Sequence, residues 1–220
     1  MKLFLFILIN LININIYHYQ NNDQLYVKII PLFDNNPIQL SKANKDSISI
    51  ETLKFYLTDF CLIKSGEVVW KEVNSYHLID ISKPTSLDIF FTNEVKVDFD
   101  EIQFLLGTDS LTNVSGAIGG DLDPTKGMYW AWNSGYINFK LEGKQNSKPF
   151  QFHIGGYASP YPTVQKIRLK TKKNLNIAFN VADFLNQLNL VNQNKIMSPG
   201  KEAQELSEIL SSLFYINEKE

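Results

Sequence analysis

Tyr136-Ile137-Asn138-Phe139-Lys140-Leu141 alternates, with Ile137, Phe139 and Leu141 set against Asn138 and Lys140. Side chains on a strand point to opposite faces in turn, so a period of two marks a half-buried β-strand. Just upstream lies Gly127-Met128-Tyr129-Trp130-Ala131-Trp132-Asn133-Ser134-Gly135, which holds two of the chain's three tryptophans. Read as extended, it projects Met128, Trp130 and Trp132 to one side. Downstream, Phe150-Gln151-Phe152-His153-Ile154-Gly155-Gly156 sends its phenylalanines one way and His153 the other. An aromatic strand beside a histidine-bearing strand suits a soft metal, and equally suits the core of a β-sandwich.

The same period recurs along the chain. Leu25 to Leu32 reads as a strand with Pro31 marking an edge or bulge, and Asp34-Asn35-Asn36-Pro37 as a turn. Ser47 to Leu53 and Phe55 to Lys64 read as two strands, with Ser65-Gly66 turning the second into Val68-Val69-Trp70. Tyr76 to Ile81, Ser86 to Phe91, Val95 to Leu106, Ile167 to Lys170 and Leu175 to Val181 complete the set. Two helices are predicted. Asp183 to Leu190 is short, and the C-terminal one has Ser198 as N-cap, Pro199 at its first position and a stripe of Leu206, Ile209, Leu210, Leu213 and Phe214. Many short strands at turn-spaced intervals predict a mainly β fold. The expected form is an antiparallel β-sandwich, Ig-like or jelly-roll-like, with a short helix and a C-terminal helix, filling residues 24–217.

Composition narrows the function. With 220 residues the chain holds one well-buried domain. A net charge of -2 gives no electrostatic footprint for nucleic acid. The single cysteine, Cys61, excludes an internal disulfide framework and reads as a buried thiol on a strand. Residues 1–20 read as an export signal: Lys2 opens an apolar run from Leu3 to Ile16 that three asparagines interrupt. The sequence around Ile16-Tyr17-His18-Tyr19-Gln20 lacks the small residues of a cleavage site, so an uncleaved anchor is the other reading, and the only membrane contact expected. The protein is expected to be exported, periplasmic or secreted.

Three histidines are present, and His18 belongs to the leader, so a two-imidazole metal site would need both His77 and His153. Imidazole suits copper and zinc, and the thioethers of Met197 and Met128 suit cuprous copper. Asp109, Asp121 and Asp123 sit in a glycine-rich loop with Asn113, and spaced carboxylates of this kind suit calcium. Asp123-Pro124 also reads as the start of a turn, with Asp121 capping backbone amides. No Gly-x-Ser-x-Gly, no phosphate-binding glycine loop and no His-Glu-x-x-His occurs, so no catalysis is expected.

The motif order carries a family resemblance. Gly107-Thr108-Asp109, the run from Asp121 to Tyr136, Glu142-Gly143 and Phe152-His153-Ile154-Gly155 resemble the signature of the MbnP-like family of periplasmic copper proteins. Phe55-Tyr56-Leu57-Thr58-Asp59, Leu78-Ile79-Asp80-Ile81-Ser82 and Ile196-Met197-Ser198-Pro199 resemble its flanks. The resemblance implies an exported protein that holds or transfers copper, with His153 as a ligand and Trp130 or Trp132 oxidised to kynurenine by a di-haem oxidase. The chain departs from the pattern at Met197-Ser198-Pro199-Gly200, where many relatives carry a histidine. The alternative, from another class, is a non-metal module in which Tyr129, Trp130, Trp132, Tyr136, Tyr157 and Tyr161 stack on a glycan or peptide.

Overall fold

The computed structural model describes residues 25–44, 46–171 and 173–218; the leader assigned to 1–20 lies outside them. The strands are β1 (Tyr26–Phe33), β2 (Asn36–Pro37), β3 (Ile48–Lys64), β4 (Glu67–Lys71), β5 (Tyr76–Asp80), β6 (Asp88–Phe90) and β7 (Glu101–Leu106). A short helix α1 (Ser110–Val114) precedes β8 (Tyr129–Trp130), β9 (Gly135–Gln145), β10 (Lys148–Gly155), β11 (Gln165–Lys170) and β12 (Asn176–Asn180). Helix α2 (Val181–Leu185), β13 (Lys195–Ile196), α3 (Lys201–Ser212) and β14 (Phe214–Ile216) complete the chain. The smaller sheet runs β14-β12-β1-β2 with β6 also on β1. The larger runs β11-β7-β3-β9-β10-β13, with β4 and β5 on β3 and β8 on β9, and curls as a half-barrel.

The mainly β expectation holds, and the antiparallel one is corrected. Strand β1 pairs with β12 in parallel, Ile29 opposite Ile177, and β10 pairs with β13 in parallel, Phe152 opposite Ile196. Both sheets are therefore mixed. The two strands read over Ser47–Leu53 and Phe55–Lys64 are one 17-residue strand, β3. Nothing at Lys54 breaks it, because β3 changes neighbours along one edge instead of ending: β9 pairs with Ile48–Phe55 and β7 with Leu57–Ile63. A positive φ of 55° at Asp59 marks the irregularity in that second pairing. Val95 to Phe99 is not a strand; the paired segment begins at Glu101.

The helices also shift. Asn180 caps α2 by accepting from the Ala182 amide, so that helix begins earlier than Asp183. Helix α3 starts at Lys201 after Gly200, whose φ of 152° lies outside the helical range, so Ser198 and Pro199 are not its first turn. Phe214 leaves the helical stripe and becomes the first residue of β14.

One core joins the two sheets. Phe55 stacks on Phe139 at 5.8 Å and meets Phe179 edge-on at 6.3 Å and Phe214 at 6.0 Å, so rings from both sheets touch. Ala203, Leu206 and Leu210 of α3 close the same core. Each ring is fully or almost fully buried, and fully buried aromatic side chains dominate core energetics. Phe179→Ala is therefore expected to lower stability by about 3–5 kcal/mol in urea unfolding, while Val191→Ala, at an exposed position, should stay within about 0.5 kcal/mol.

Candidate functional site

Strands β9 and β10 form a hairpin turned by Asn146 and Ser147, both with positive φ, 49° and 66°. That two-residue turn fixes the register. Lys140 falls opposite His153 and Glu142 opposite Gln151, so Glu142 and His153 are diagonal neighbours on the face away from the core. Their side chains meet, His153 Nε2 to Glu142 Oε1 at 2.7 Å. Burial pushes the His153 imidazole below its usual pKa, the Glu142 bond offsetting part of that. Burial would raise Glu142, but the bonds to His153 and Thr52 and the charge of Lys140 hold it below the ordinary carboxylate range. The pair is thus a neutral imidazole donating to an ionised carboxylate, and the neutral ring is the form that binds metals.

Two further elements come to this strand. Strand β13 places Ile196 beside Phe152, so the chain that continues into Met197 leaves this strand next to the level of His153. The next residues stay alongside: a methyl group at Gly156 would come within 2.8 Å of Pro199 Cβ. From the other direction, β8 pairs Trp130 with Gly135 of β9. The Trp130 indole lies over Gly155, where a methyl group would approach its ring to 2.9 Å and the Tyr136 carbonyl to 2.6 Å. Gly155 is two residues beyond His153, so bare backbone makes room for the indole at the end of the strand that carries the imidazole.

The two tryptophans differ. Met128 and Trp130 are buried, with Trp130 at 5%, whereas Trp132 is 66% exposed. The extended reading of this segment is corrected here: the strand stops at Trp130 and residues 131–134 turn, with Ser134 at φ 47°. The rings still touch, centroids 5.6 Å apart.

His77 stands elsewhere. Strands β5 and β9 flank β3 on opposite edges, since Lys54 pairs with both Asp80 and Lys140. Three strand steps, roughly 14 Å along the sheet, separate β5 from β10. His77 also lies opposite Leu57 on the core face and packs on Phe60 at 5.7 Å, while His153 is on the outer face. The fold does not bring the two imidazoles together. His77 Nε2 instead meets the buried Glu72 carboxylate at 2.8 Å, which also accepts from Ser75 Oγ at 2.6 Å and the Thr92 amide at 3.0 Å.

The three aspartates are occupied locally. Asp109 caps α1 by accepting from the Thr112 amide at 2.8 Å, and Asp123 accepts from the Thr125 amide at 2.8 Å. Asp121 accepts from the Leu78 amide at 3.1 Å and pairs with Lys126. Among the described residues no three His, Cys, Asp or Glu side chains converge as a metal cage requires, so Asp109, Asp121 and Asp123 do not assemble the calcium site read from their loop. Their work is to hold the loop that carries the tryptophans onto the sheet. Lys54 and Lys140 donate from the sheet to the Lys126 and Gly127 carbonyls at 3.2 and 3.4 Å, and Tyr56 Oη donates to the Asp121 carbonyl at 3.1 Å.

Of the aromatic face, Trp130 and Tyr136 are buried, and Tyr136 Oη donates to the Leu122 carbonyl at 3.0 Å. Tyr157 and Tyr161 instead line an open cleft of about 240 Å³ with Asn133, Pro160 and Pro199. Cys61 is buried as expected, with Gln103 Nε2 at 3.4 Å from its sulfur. One residue escaped the sequence reading as a site component: Gly155, whose lack of a side chain seats Trp130. Glu142 and His153 could be paired from the sequence only as a conceivable acid/base couple, and the Asn146-Ser147 turn register is what fixes their distance. An imidazole, with the thioether of Met197 one residue beyond the Ile196 pairing, is a donor chemistry that fits cuprous copper.

Comparison with known proteins agrees with the motifs. The model of the MbnP family matches residues 22–198. Among solved structures, MbnP from Methylosinus trichosporium superposes with a TM-score of 0.55 at 12% identity, covering 74% of this chain and 77% of that one. At that identity the likeness is one of fold. Among curated proteins nothing matches.

Two measurements check this geometry. Gly155→Ala is expected to cost about 1–3 kcal/mol in urea unfolding by displacing the Trp130 ring, whereas Trp132→Phe should stay within about 0.5 kcal/mol. The second concerns Glu72. Burial would raise it, but the bonds from His77, Ser75 and Thr92 leave it lowered. A lowered folded-state value stabilises above the unfolded pKa of about 4.3 and is lost as pH falls through the folded value. Urea midpoints should therefore fall below about pH 4–5 in the wild type. Glu72→Gln should start lower at neutral pH and fall less.

Proposed function

The chain belongs to the MbnP family, and from that premise we propose that it is an exported, non-catalytic protein that binds copper at the outer face of β10, to hold it or pass it on. The observation that carries this reading is the convergence on one strand of His153, the segment bearing Met197 and the Trp130 ring over Gly155. His153, kept neutral by burial, supplies an imidazole, and Met197 a thioether; together they favour the cuprous ion over harder cations. His77 takes no part, because its ring serves Glu72 on the other face of the sheet.

Trp130 and Trp132 complete the proposal. Trp132 is the ring that an oxidising partner, a di-haem enzyme of the family's type, would reach first, and it packs on the buried Trp130. Export rests on the apolar leader read at residues 1–20. No helix among the described residues is long and apolar enough to cross a membrane. A second reading draws on the open cleft between Tyr157 and Tyr161, whose rings offer stacking surface for a glycan or peptide.

Cuprous ion titrated into the metal-stripped full chain, against a chromogenic competitor, separates the two. We expect saturation near one equivalent with quenching of tryptophan emission, a loss of at least about 100-fold in His153→Ala and a smaller loss in Met197→Ala, with His77→Ala unchanged. Equal binding by wild type and His153→Ala, or none by either, would sink the copper reading and leave the aromatic cleft as the site.

A further inference from the structure

We infer that Glu142 is a positioning residue for His153, one that grips the ring at Nε2 and leaves Nδ1 as the atom offered to the metal. The inference rests on the copper reading and deepens it. A neutral imidazole has one N–H and one lone pair, and an ionised carboxylate can only accept. The 2.7 Å contact between His153 Nε2 and Glu142 Oε1 therefore places the proton on Nε2 and the lone pair on Nδ1. The grip is itself held. Glu142 lies within 3.8 Å of the Lys140 ammonium, bonds Thr52 from the adjacent strand, and sits on the rigid β9 ladder rather than on a loop. Its partner side chain is only 8% exposed, so the imidazole cannot swing out to trade the carboxylate for water without opening the packing. A carboxylate on the far nitrogen fixes the tautomer of a metal-binding histidine and raises its basicity. Here one carboxylate would do that for the single imidazole that the described residues bring to this face.

The test uses the full chain labelled with ¹⁵N at histidine, with the His153 signals assigned by their loss in His153→Ala. In the metal-free protein we expect Nε2 protonated and Nδ1 bare, and on adding the diamagnetic cuprous ion we expect the Nδ1 resonance to move. Glu142→Ala should mix the tautomers and weaken cuprous ion binding by about 10–100-fold. Glu142→Gln, whose carbonyl oxygen still accepts from Nε2, should restore most of that loss. Protonated Nδ1 in the metal-free wild type, movement of Nε2 on loading, or unchanged affinity in Glu142→Ala would each overturn the inference. So would failure of Glu142→Gln to rescue, which would make the carboxylate itself a ligand. If the wild type takes up no copper, the proposed function falls. The tautomer of the metal-free ring, compared with Glu142→Ala, then decides separately whether Glu142 sets it.

Discussion

Strand β3 has two faces, and each must be covered from a different direction. Toward the core, Leu53, Phe55 and Leu57 are sealed by the smaller sheet, whose Phe179 and Phe214 rings meet Phe55. On the other side, Lys54, Tyr56 and Thr58 have no second sheet above them, and the long connection from β7 to β9 lies there instead. Tyr56 meets Tyr136 edge-on at 5.8 Å, and with Leu78, Leu122, Met128 and Trp130 they form a second, smaller cluster. Trp130 is buried only because this loop is pinned down. The tryptophans, the aspartates and the outer-face lysines thus belong to one arrangement, in which lysines and aspartates hold backbone and the indole fills the space that remains.

What the sequence disclosed follows from what is local. Alternation over Tyr136–Leu141 and over Phe150–Ile154 gave both strands and the face of His153 correctly, because period two is a property of each strand alone. The turn chemistry of Asp123-Pro124 was equally legible, and Asp123 accepts from the Thr125 amide while Asp121, read as a cap, accepts from the Leu78 amide. The parallel pairings were not. Whether β1 joins β12 depends on segments at opposite ends of the chain, and neither Ile29 nor Ile177 carries a mark of its partner's direction. The fate of His77 is of the same kind: only the pairing of β5 with β3 shows that it faces Phe60 and Glu72 rather than His153. Trp132 failed for a local reason, since residues 131–134 turn the chain directly after Trp130, two residues sooner than the tryptophan spacing suggested.

The two histidines are alike in one respect and opposed in another. Each has a glutamate on Nε2, at 2.8 Å for His77 and 2.7 Å for His153. Glu72 is wholly enclosed and its remaining oxygen holds the Thr92 amide, so that couple ties two loops together. Glu142 faces the sheet's outer surface beside Lys140, on the strand whose neighbour β10 also pairs with β13. The same bond is architecture in one place and, on the proposed copper reading, preparation in the other.

The parallel pairing of β10 with β13 has a consequence in time. Antiparallel neighbours such as β9 and β10 close on a tight turn, but Phe152 meets Ile196 only after the chain has passed through β11, β12 and α2. A pairing that must close a longer loop carries an entropic cost that the tight turn avoids, one that rises slowly with loop length. His153 is thus placed by its hairpin independently of the segment that brings Ile196 beside Phe152. On the proposed copper reading, a soft ion offered to the nascent chain would meet the imidazole before the segment bearing Met197 is in place.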